Sequence, residues 1–306
     1  MSDHNLLELL RCPSCGASVD RKDGLLRCAG CGAGYRTHRG IPVLLRPDHP
    51  DFHEDWLEPT HRPARNFVHR LLSIDLKHRS RSCIDEMIAE LTARVAGPPT
   101  ILVIGGGEEG IGLGPALRQP GVRWVETDIY VGSRTRLVAD GHDLPFATAS
   151  FDGVIIQSVL EHVRDPVRVA AEAMRALKPQ GLLFSQAAFM QQVHEGRYDY
   201  FRFSPRAHRL LFAPLAVVRW GASLGPAVGF VWSLRYLLRA LLAPVPGGRA
   251  AVFLLSRLLM LLAFPVDMLL ARSRLAMEAA SETYLLLRKT DPPADDADRF
   301  PDKNPE

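Results

Sequence analysis

The feature that most constrains the fold of this chain is an apolar segment that leads directly into a run of glycines. Residues 100–104 are continuously apolar or β-branched, which is typical of a buried parallel strand. The glycines at 105–107 let a turn adopt positive φ and let a ligand lie against the main chain. A second short strand, 122–125, is followed by Asp128, about twenty positions after the glycines, where a carboxylate can accept hydrogen bonds from a ribose. The pattern predicts one nucleotide-binding half of an α/β fold.

Further motifs extend this pattern in a fixed order along the chain. They occupy residues 139–146, 150–156, 159–163 and 176–181. Over roughly residues 95–220 the succession resembles the class I S-adenosylmethionine-dependent methyltransferases, in particular the group related to quinone and small-molecule methyltransferases. The resemblance implies an α/β fold, with a Rossmann-like, mostly parallel sheet of seven strands and flanking helices, and S-adenosylmethionine as the cofactor.

The same resemblance assigns cofactor-binding roles to individual residues. They are Gly105, Gly107, Gly110, Asp128, Asp140, His142, Leu144 and Ser158. The glycines would lie against the methionyl part, Asp128 would bind the ribose hydroxyls, and Asp140 would face the adenine amine, which is a hydrogen-bond donor. His142 and Leu144 would lie beside the adenine ring, and Ser158 near the sulfonium.

Two positions in the glycine loop depart from the family pattern. Val103 stands where the family usually has an acid, and Glu109 stands where it has the third glycine. The loop is therefore bulkier and more anionic than the pattern. Either Gly110 takes the third role, or the affinity for the cofactor is reduced. A catalytically degenerate binding or scaffold protein is the alternative that these departures leave open.

Four cysteines near the start of the chain form a second motif. Cys12, Cys15, Cys28 and Cys31 make two Cys-x-x-Cys pairs separated by twelve residues, which is the spacing of a tetrahedral zinc ribbon. A closed site of four thiolates is structural, because no position is left for water. The span 6–45 resembles the small zinc-ribbon proteins that bind and stabilise methyltransferases in translation. We expect such a module to be fused here to its enzyme.

The sequence divides into regions of different character. We expect a zinc ribbon at 1–46, a linker at 47–64, a methyltransferase domain at 65–290 that carries an apolar helical insertion at 222–280, and a disordered tail at 291–306. Apolar spacing predicts helices within 65–95 and 166–177, and strands at 182–185, 215–220 and 282–289. Five histidines without a ligand spacing are interpreted as surface residues: His49, His53, His61, His69 and His78.

The insertion separates two strands that form a hairpin in the family. Prolines and glycines at 244–248 divide it into two apolar helical arms, and charged residues interrupt every apolar stretch before it reaches eighteen residues, so a membrane-spanning helix is not expected. Six arginines against two acids, with Trp232 and Tyr236, suit anionic lipid headgroups. A lid over the catalytic domain, a membrane-surface element and an oligomer contact all remain open.

The segment 194–205 follows a predicted strand at the position from which the family builds its acceptor pocket. It resembles a segment of methyltransferases in surface-glycan and lipid biosynthesis. Methyl transfer is an in-line displacement that needs alignment, and a base only for a hydroxyl-type acceptor. His194 is the first candidate for that base and His162 the second, because imidazole titrates near neutral pH. Arg197 and Arg202 would pair with an anionic acceptor or with neighbouring acids.

These observations predict a methyltransferase that acts on a small-molecule, glycan or lipid-linked acceptor. An RNA methyltransferase that uses the ribbon for RNA contact is the enzymatic alternative. Against it, the net charge is only +3 and only five of the 37 basic residues are lysines, so nucleic acid is not an expected partner. The expected location is the cytoplasm, with peripheral contact of 222–280 at the inner face of the membrane, and the oligomeric state is left open.

Overall fold

The structure is a computed structural model that describes residues 6–22, 24–46, 49, 52–58, 77–109, 113–194 and 196–290. The expected tail, Gly110, His61, His69 and most of the linker lie outside the described residues.

The N-terminal region is built from short antiparallel strands. They are β1 (Val19–Lys22), β2 (Leu25–Cys28), β3 (Gly34–Tyr35), β4 (Thr37–His38) and β5 (Ile41–Pro42). The first three form one sheet and the last two form a separate hairpin. Short strands joined by tight turns are the expected framework for two cysteine turns that face each other.

The centre of the molecule is a seven-stranded sheet. Its strands are β6 (Thr100–Ile104), β7 (Arg123–Asp128), β8 (Leu137–Val138), β9 (Phe151–Gln157), β10 (Leu177–Ala188), β11 (Ala216–Leu224) and β12 (Glu282–Arg288). They lie in the order β11-β12-β10-β9-β6-β7-β8, and β12 runs antiparallel to both of its neighbours. The β6 to β10 neighbours pair in parallel. The predicted mostly parallel sheet is confirmed.

Helices cover both faces of this sheet. They are α1 (His78–Arg94), α2 (Gly114–Leu117), α3 (Pro166–Ala176), α4 (Pro205–Leu210), α5 (Pro226–Leu242), α6 (Gly248–Leu269) and α7 (Arg274–Glu278). All of β6 is buried, and its side chains alternate between two hydrophobic clusters, with Leu102 and Ile104 in one and Ile101 and Val103 in the other. This explains why the strand is apolar at every position rather than at alternate positions.

The zinc-ribbon region is packed onto the sheet rather than tethered beside it. Val43 makes a parallel bridge to Val138, so the chain extends the sheet beyond β8. The N–H of Arg11 donates to the carbonyl of Pro145 at 2.8 Å. Leu10 is fully buried in the same hydrophobic cluster as Phe146. The ribbon and the sheet therefore share a core, and loss of one is expected to expose apolar surface of the other.

The insertion before β12 is a hairpin of two apolar helices, α5 and α6. Gly247, with φ +77°, forms part of the turn between them. Val228, Val231 and Met260 pack in its small core, and the Asp267 carboxylate caps the start of α5 by accepting the N–H groups of Ala227 and Val228.

Much of the hairpin's apolar surface points to solvent. The exposed side chains include Phe230, Leu237, Leu241, Leu254, Leu258, Leu262 and Leu269. By length and composition α6 meets the criteria for a membrane-spanning helix, with a mean hydropathy of 2.0 over a window that is 22% buried. This differs from the sequence-based expectation, because the charges in α6 are too few to lower its hydropathy below that of a spanning segment.

Candidate functional site

The four predicted zinc ligands converge at one point of the ribbon. The Sγ atoms of all four cysteines lie within 4.8 Å of one another. Sγ of Cys12 is 3.7 Å from that of Cys31, and Sγ of Cys15 is 3.3 Å from that of Cys28. Tetrahedral zinc with Zn–S bonds of about 2.3 Å places sulfur atoms about 3.8 Å apart. The cluster fits a structural zinc ion.

The backbone around Cys28 favours its thiolate. The N–H groups of Cys31 and Gly30 point at Cys28 Sγ from 3.4 and 3.3 Å. These hydrogen bonds, that of Cys31 first, lower the pKa of Cys28 to about 6. A metal ligand must be deprotonated, so the turn prepares the sulfur for zinc.

The predicted cofactor and catalytic residues lie along the carboxyl edge of the sheet. The glycine turn follows β6, Asp128 ends β7, Asp140 follows β8, Ser158 follows β9, and His194 lies beyond β10. Parallel strands end at the same edge, and the strand order reverses between β6 and β9. Ligands of open α/β sheets bind at such a switch point.

The glycine turn and Asp128 are in direct contact. The N–H of Gly107 donates to Asp128 Oδ2 at 2.9 Å, and the N–H of Ile129 donates to Oδ1 at 2.8 Å. Gly105 has φ +71°, and a Cβ there would lie 2.3 Å from Val159 Cγ2. Only glycine fits this position, because both the dihedral angle and the space exclude a side chain. The turn is therefore held close to both β7 and the segment after β9.

The two departures from the family pattern are accommodated locally. Val103 is buried in the core, 1% exposed, beside Glu126 on the neighbouring strand. Glu109 makes an ion pair with Arg118, so the extra negative charge of the glycine loop is balanced by that arginine. Glu108 accepts hydrogen bonds from the N–H and hydroxyl of Ser133.

Asp140 lies between two histidines. Its Oδ1 is 2.7 Å from His142 Nδ1, and its Oδ2 is 2.8 Å from His49 Nε2. Burial alone would raise its pKa, but the hydrogen bonds from His142 and His49 lower it well below the usual range. The interpretation of His49 as a surface residue is wrong, since its side chain is only 10% exposed. No sequence pattern indicates this pair, because the partners are 91 positions apart.

Of the remaining predicted cofactor-binding residues, Leu144 lies in the hydrophobic core and Ser158 lies in a turn with positive φ. Leu144 is 4% exposed and packs in the main hydrophobic cluster, and its N–H donates to Glu172 at 3.0 Å. Ser158 has φ +53°, which is uncommon for a residue with a side chain and is concentrated at functional sites. Its hydroxyl lies 3.5 Å from the ammonium group of Lys77.

The two predicted catalytic histidines meet. Nε2 of His194 lies 3.1 Å from Nε2 of His162, and the rings are nearly perpendicular. Nδ1 of His162 contacts the Tyr198 carbonyl at 2.9 Å. Glu161 lies beside them, is 1% exposed, and its burial raises the pKa of its carboxyl group to about 7.

Asp199 and Arg202 fix the segment that carries His194. The guanidinium of Arg202 makes ion pairs with Asp199 and donates to the carbonyls of Gln191 and Gln192. The Arg202 hydrogen bond, opposed by burial, lowers the pKa of Asp199 to about 2. Asp199 Oδ2 in turn accepts the N–H of His194 at 2.8 Å. Arg202 therefore holds this loop together. The other predicted arginine, Arg197, stacks over the ring of Tyr198, with its guanidinium carbon 4.7 Å from the ring centroid.

A buried polar network beside Glu161 escaped the sequence reasoning. Glu282, at the start of β12, is 3.1 Å from Lys77 Nζ and accepts hydrogen bonds from Gln186 and Gln191. Besides burial, which has the larger effect, the charge of Glu282 raises the pKa of the Glu161 carboxyl group and that of Lys77 lowers it, so Glu161 and Glu282 lie in one electrostatic environment. Only the buried polar residues Gln186 and Glu282, within apolar strands, could have signalled it.

A cleft opens beside His194, between its loop and the helical hairpin. Its volume is about 640 Å³, and it is lined by Val193, His194, Tyr236, Arg239, Ala240 and Arg249. The hydroxyl of Tyr236 donates to the carbonyl of Val193 at 3.1 Å and ties the hairpin to the loop. The cleft has space for a small molecule or for part of a larger one.

Comparison with known proteins agrees with this geometry. Residues 120–185 match the family model described as a methyltransferase domain. The match begins just before β7 and ends within β10, so it includes Asp128, Asp140 and Ser158. This part of the chain therefore carries a methyltransferase domain pattern, as the resemblance predicted. A search of curated proteins gave no match.

Several solved structures are similar to the chain. A putative sarcosine dimethylglycine methyltransferase from Galdieria sulphuraria is 16% identical over 70% of this chain and 86% of its own, with a TM-score of 0.44. A chain in the complex between the Haloferax volcanii Trm112 methyltransferase activator and the putative methyltransferase is 18% identical over 74% and 98%, with a TM-score of 0.43. Geranyl diphosphate C-methyltransferase from Streptomyces coelicolor A3(2) is 15% identical over 70% and 80%, with a TM-score of 0.41.

Proposed function

We propose that the chain transfers a methyl group from S-adenosylmethionine to a small-molecule, glycan or lipid-linked acceptor that binds in the cleft beside His194. The observation that carries the proposal is the cleft itself. It adjoins the carboxyl edge of the sheet through His194, and two arginines, Arg239 and Arg249, line it. Guanidinium groups bind carboxylates and phosphates, and the apolar helices beside them suit a hydrocarbon chain. An anionic amphiphile combines both properties.

The cofactor would be held by the residues along the sheet edge. S-adenosylmethionine supplies an electrophilic methyl group on its sulfonium. The glycines at 105 and 107 would allow the methionyl part to approach the backbone, and Asp128 would accept hydrogen bonds from the ribose hydroxyls. Asp140 and His142 would lie at the adenine, with Leu144 beneath them and Ser158 near the sulfonium.

His194 is the first candidate for a base and His162 the second. Each ring contacts a backbone carbonyl through Nδ1, at 3.1 Å for His194 and 2.9 Å for His162, and the two Nε2 atoms face each other at 3.1 Å. An imidazole in this state can take the proton of an acceptor hydroxyl as its oxygen attacks the methyl carbon. The loop that Arg202 fixes would align the base with the acceptor.

The hairpin is proposed to contact a membrane surface from the cytoplasmic side. Its large apolar side chains are exposed, and arginines lie over its aromatic rings, with Arg257 5.3 Å from the centroid of Phe253 and Arg235 5.7 Å from that of Trp232. Apolar side chains flanked by arginines and Trp are typical of interfacial helices on anionic lipids. Such contact would place the cleft next to a lipid-linked acceptor.

Methyl transfer to lipid-linked and soluble acceptors tests the proposal. The zinc-loaded chain would be incubated with radiolabelled S-adenosylmethionine and either a lipid extract, a soluble glycan fraction or total RNA. Label is expected in the lipid or glycan fraction, and replacing Arg239 and Arg249 by Gln should raise KM for an anionic acceptor more than it lowers kcat. The matched control is Arg123→Gln, on the opposite edge of the sheet. Label in RNA alone would contradict the proposal.

A further inference from the structure

The hydrogen bonds of His162 and His194 fix the protonation of both rings. A carbonyl oxygen only accepts, so the Nδ1 that contacts Tyr198 O must carry a hydrogen in His162. Nδ1 of His194 likewise contacts Gln192 O at 3.1 Å, with Asp199 Oδ2 at 3.5 Å. In two neutral rings both Nε2 atoms are then acceptors. They nevertheless face each other at 3.1 Å, so either a proton or a cation must lie between them.

The ring geometry distinguishes the two cases. In a linear N–H···N hydrogen bond of this length, the ring centroids would be about 5.4 Å apart. Now consider two imidazoles that bind one cation through bonds of about 2.1 Å. If their nitrogens are 3.1 Å apart, the N–metal–N angle is about 95°, and the ring centroids are about 4.8 Å apart. The observed centroid separation is 4.8 Å. That separation matches two imidazoles that share a cation and is shorter than a linear hydrogen bond would give.

Glu161 supplies a third donor beside that point. Its carboxylate is 1% exposed, and Oε2 has no hydrogen-bond partner among the described residues. A ligand oxygen of Glu161 and the two histidine nitrogens all lie within 4.8 Å of one another. Ligands of one tetrahedral cation are about 3.4 Å apart, so a movement of about 1.4 Å or less by the ligand atoms would close the set. A bound cation would give the buried carboxylate oxygen the partner that it lacks.

We propose that Glu161, His162 and His194 bind one divalent transition-metal cation. Two imidazoles and a carboxylate, with no thiolate, suit zinc, iron(II), cobalt(II) or manganese(II). The outer-shell contacts are also typical of a metal site. Each histidine donates its second ring N–H to a backbone carbonyl, and Asp199 Oδ2 lies 3.5 Å from Nδ1 of His194. The side chain of His194 is 27% exposed, which gives the cation a path of entry from the cleft.

A cation at this site would restrict the chemical class of the methyl acceptor. This inference about the acceptor rests on the proposed function. Three protein ligands leave coordination positions open for oxygen atoms of the acceptor. The cation would lower the pKa of a coordinated hydroxyl, so that its proton could leave to solvent; the oxygen would then attack the methyl carbon as the methyl–sulfur bond of S-adenosylmethionine breaks and S-adenosylhomocysteine leaves. With the cation bound, both imidazoles would be ligands, and the role of base proposed for His194 would apply only to the metal-free chain. The expected acceptors carry a hydroxyl next to a second oxygen ligand, such as a diol or a hydroxy acid.

Cobalt(II) absorption tests the site on the zinc-loaded full chain. Thiolate ligands give intense near-ultraviolet charge transfer with cobalt(II), whereas nitrogen and oxygen ligands give only weaker visible bands, so exchange into the ribbon is distinguishable. We expect one equivalent of cobalt(II) to bind without thiolate charge transfer. His194→Gln and Glu161→Gln should each weaken that binding at least about tenfold. His78→Gln removes an exposed histidine outside the cluster and should leave it unchanged.

Thermal denaturation of each variant establishes that it folds. Absence of the visible bands at millimolar cobalt(II), or equal binding by the parent, His194→Gln and Glu161→Gln, would overturn the proposal and leave a shared proton between the rings. Titration with S-adenosylhomocysteine separates this result from the proposed function. Retained cofactor binding without cobalt(II) binding rejects the metal site alone, and the reverse result rejects the cofactor assignment alone.

Discussion

Asp128→Asn is expected to weaken cofactor binding while preserving the fold. The carboxylate is 7% exposed and accepts N–H groups of Gly107 and Ile129, so it is held beside the glycine turn. Asparagine has nearly the same shape but lacks the charge and one acceptor. Loss of one hydrogen bond to a charged group costs about 1.5 to 3 kcal/mol, which corresponds to about a 10- to 150-fold increase in Kd. Asp128→Ala removes both acceptors and should cost about twice that free energy.

Isothermal titration with S-adenosylhomocysteine measures the effect, and Asp152→Asn is the matched control. Asp152 is also 7% exposed and also accepts a buried backbone N–H, from Thr100 at 2.8 Å. It lies at the start of β9, on the opposite edge of the sheet. Asp152 also pairs with Lys178 at 2.8 Å, so Asp152→Asn should lower the melting temperature, but only Asp128→Asn should change the Kd. An unchanged Kd for Asp128→Asn would refute the assignment of Asp128 to the ribose.

Three further outcomes are expected. Cys28→Ser should release zinc, measured by metal analysis, and lower the melting temperature of the whole chain because the ribbon and the sheet share a core; an unaltered zinc content would contradict this. Burial lowers the pKa of His208 to about 3, so between about pH 6.5 and pH 3 the unfolded state binds a proton that the folded state does not. The free energy of unfolding should therefore fall by about 1.4 kcal/mol for each pH unit in that range as the pH drops. Urea denaturation should show a shallower pH dependence for His208→Gln than for the parent. Phe230→Glu with Leu262→Glu, both exposed on the hairpin, should reduce flotation with anionic liposomes; Val167→Glu, equally exposed on α3, is the control, and equal flotation of all three proteins would exclude membrane contact through the hairpin.

The sequence predicted the structural elements that neighbouring residues determine. The strand Thr100–Ile104 has the predicted limits because its residues are uniformly apolar and glycines end it. The Cys-x-x-Cys spacing predicted the ribbon, since two tight turns must bring four thiolates together. The strand predicted at 122–125 instead spans Arg123–Asp128, because pairing with β6 carries it through polar residues that propensity alone would assign to a loop.

The features that the sequence did not predict depend on contacts between distant residues. His162 and His194 were both candidates for the base, but their 3.1 Å contact arises from the fold of the loop after β10, which Asp199 and Arg202 hold in place. The pairing of His49 with Asp140 joins the connector to the sheet edge, and no periodicity encodes it. Glu161 looked like one residue of a family motif, and only its burial beside two imidazoles identified it as a donor.

Isothermal titration of the purified, zinc-loaded chain with S-adenosylmethionine and S-adenosylhomocysteine is the direct test of cofactor binding at the sheet edge. We expect micromolar binding of both, since Gly107 and Asp128 are held together beside the turn at Gly105 and Glu109 is paired with Arg118. No detectable heat at millimolar ligand would contradict the claim. The chain would then be a binding or scaffold protein that uses the methyltransferase fold, with the ribbon and the hairpin as its working surfaces.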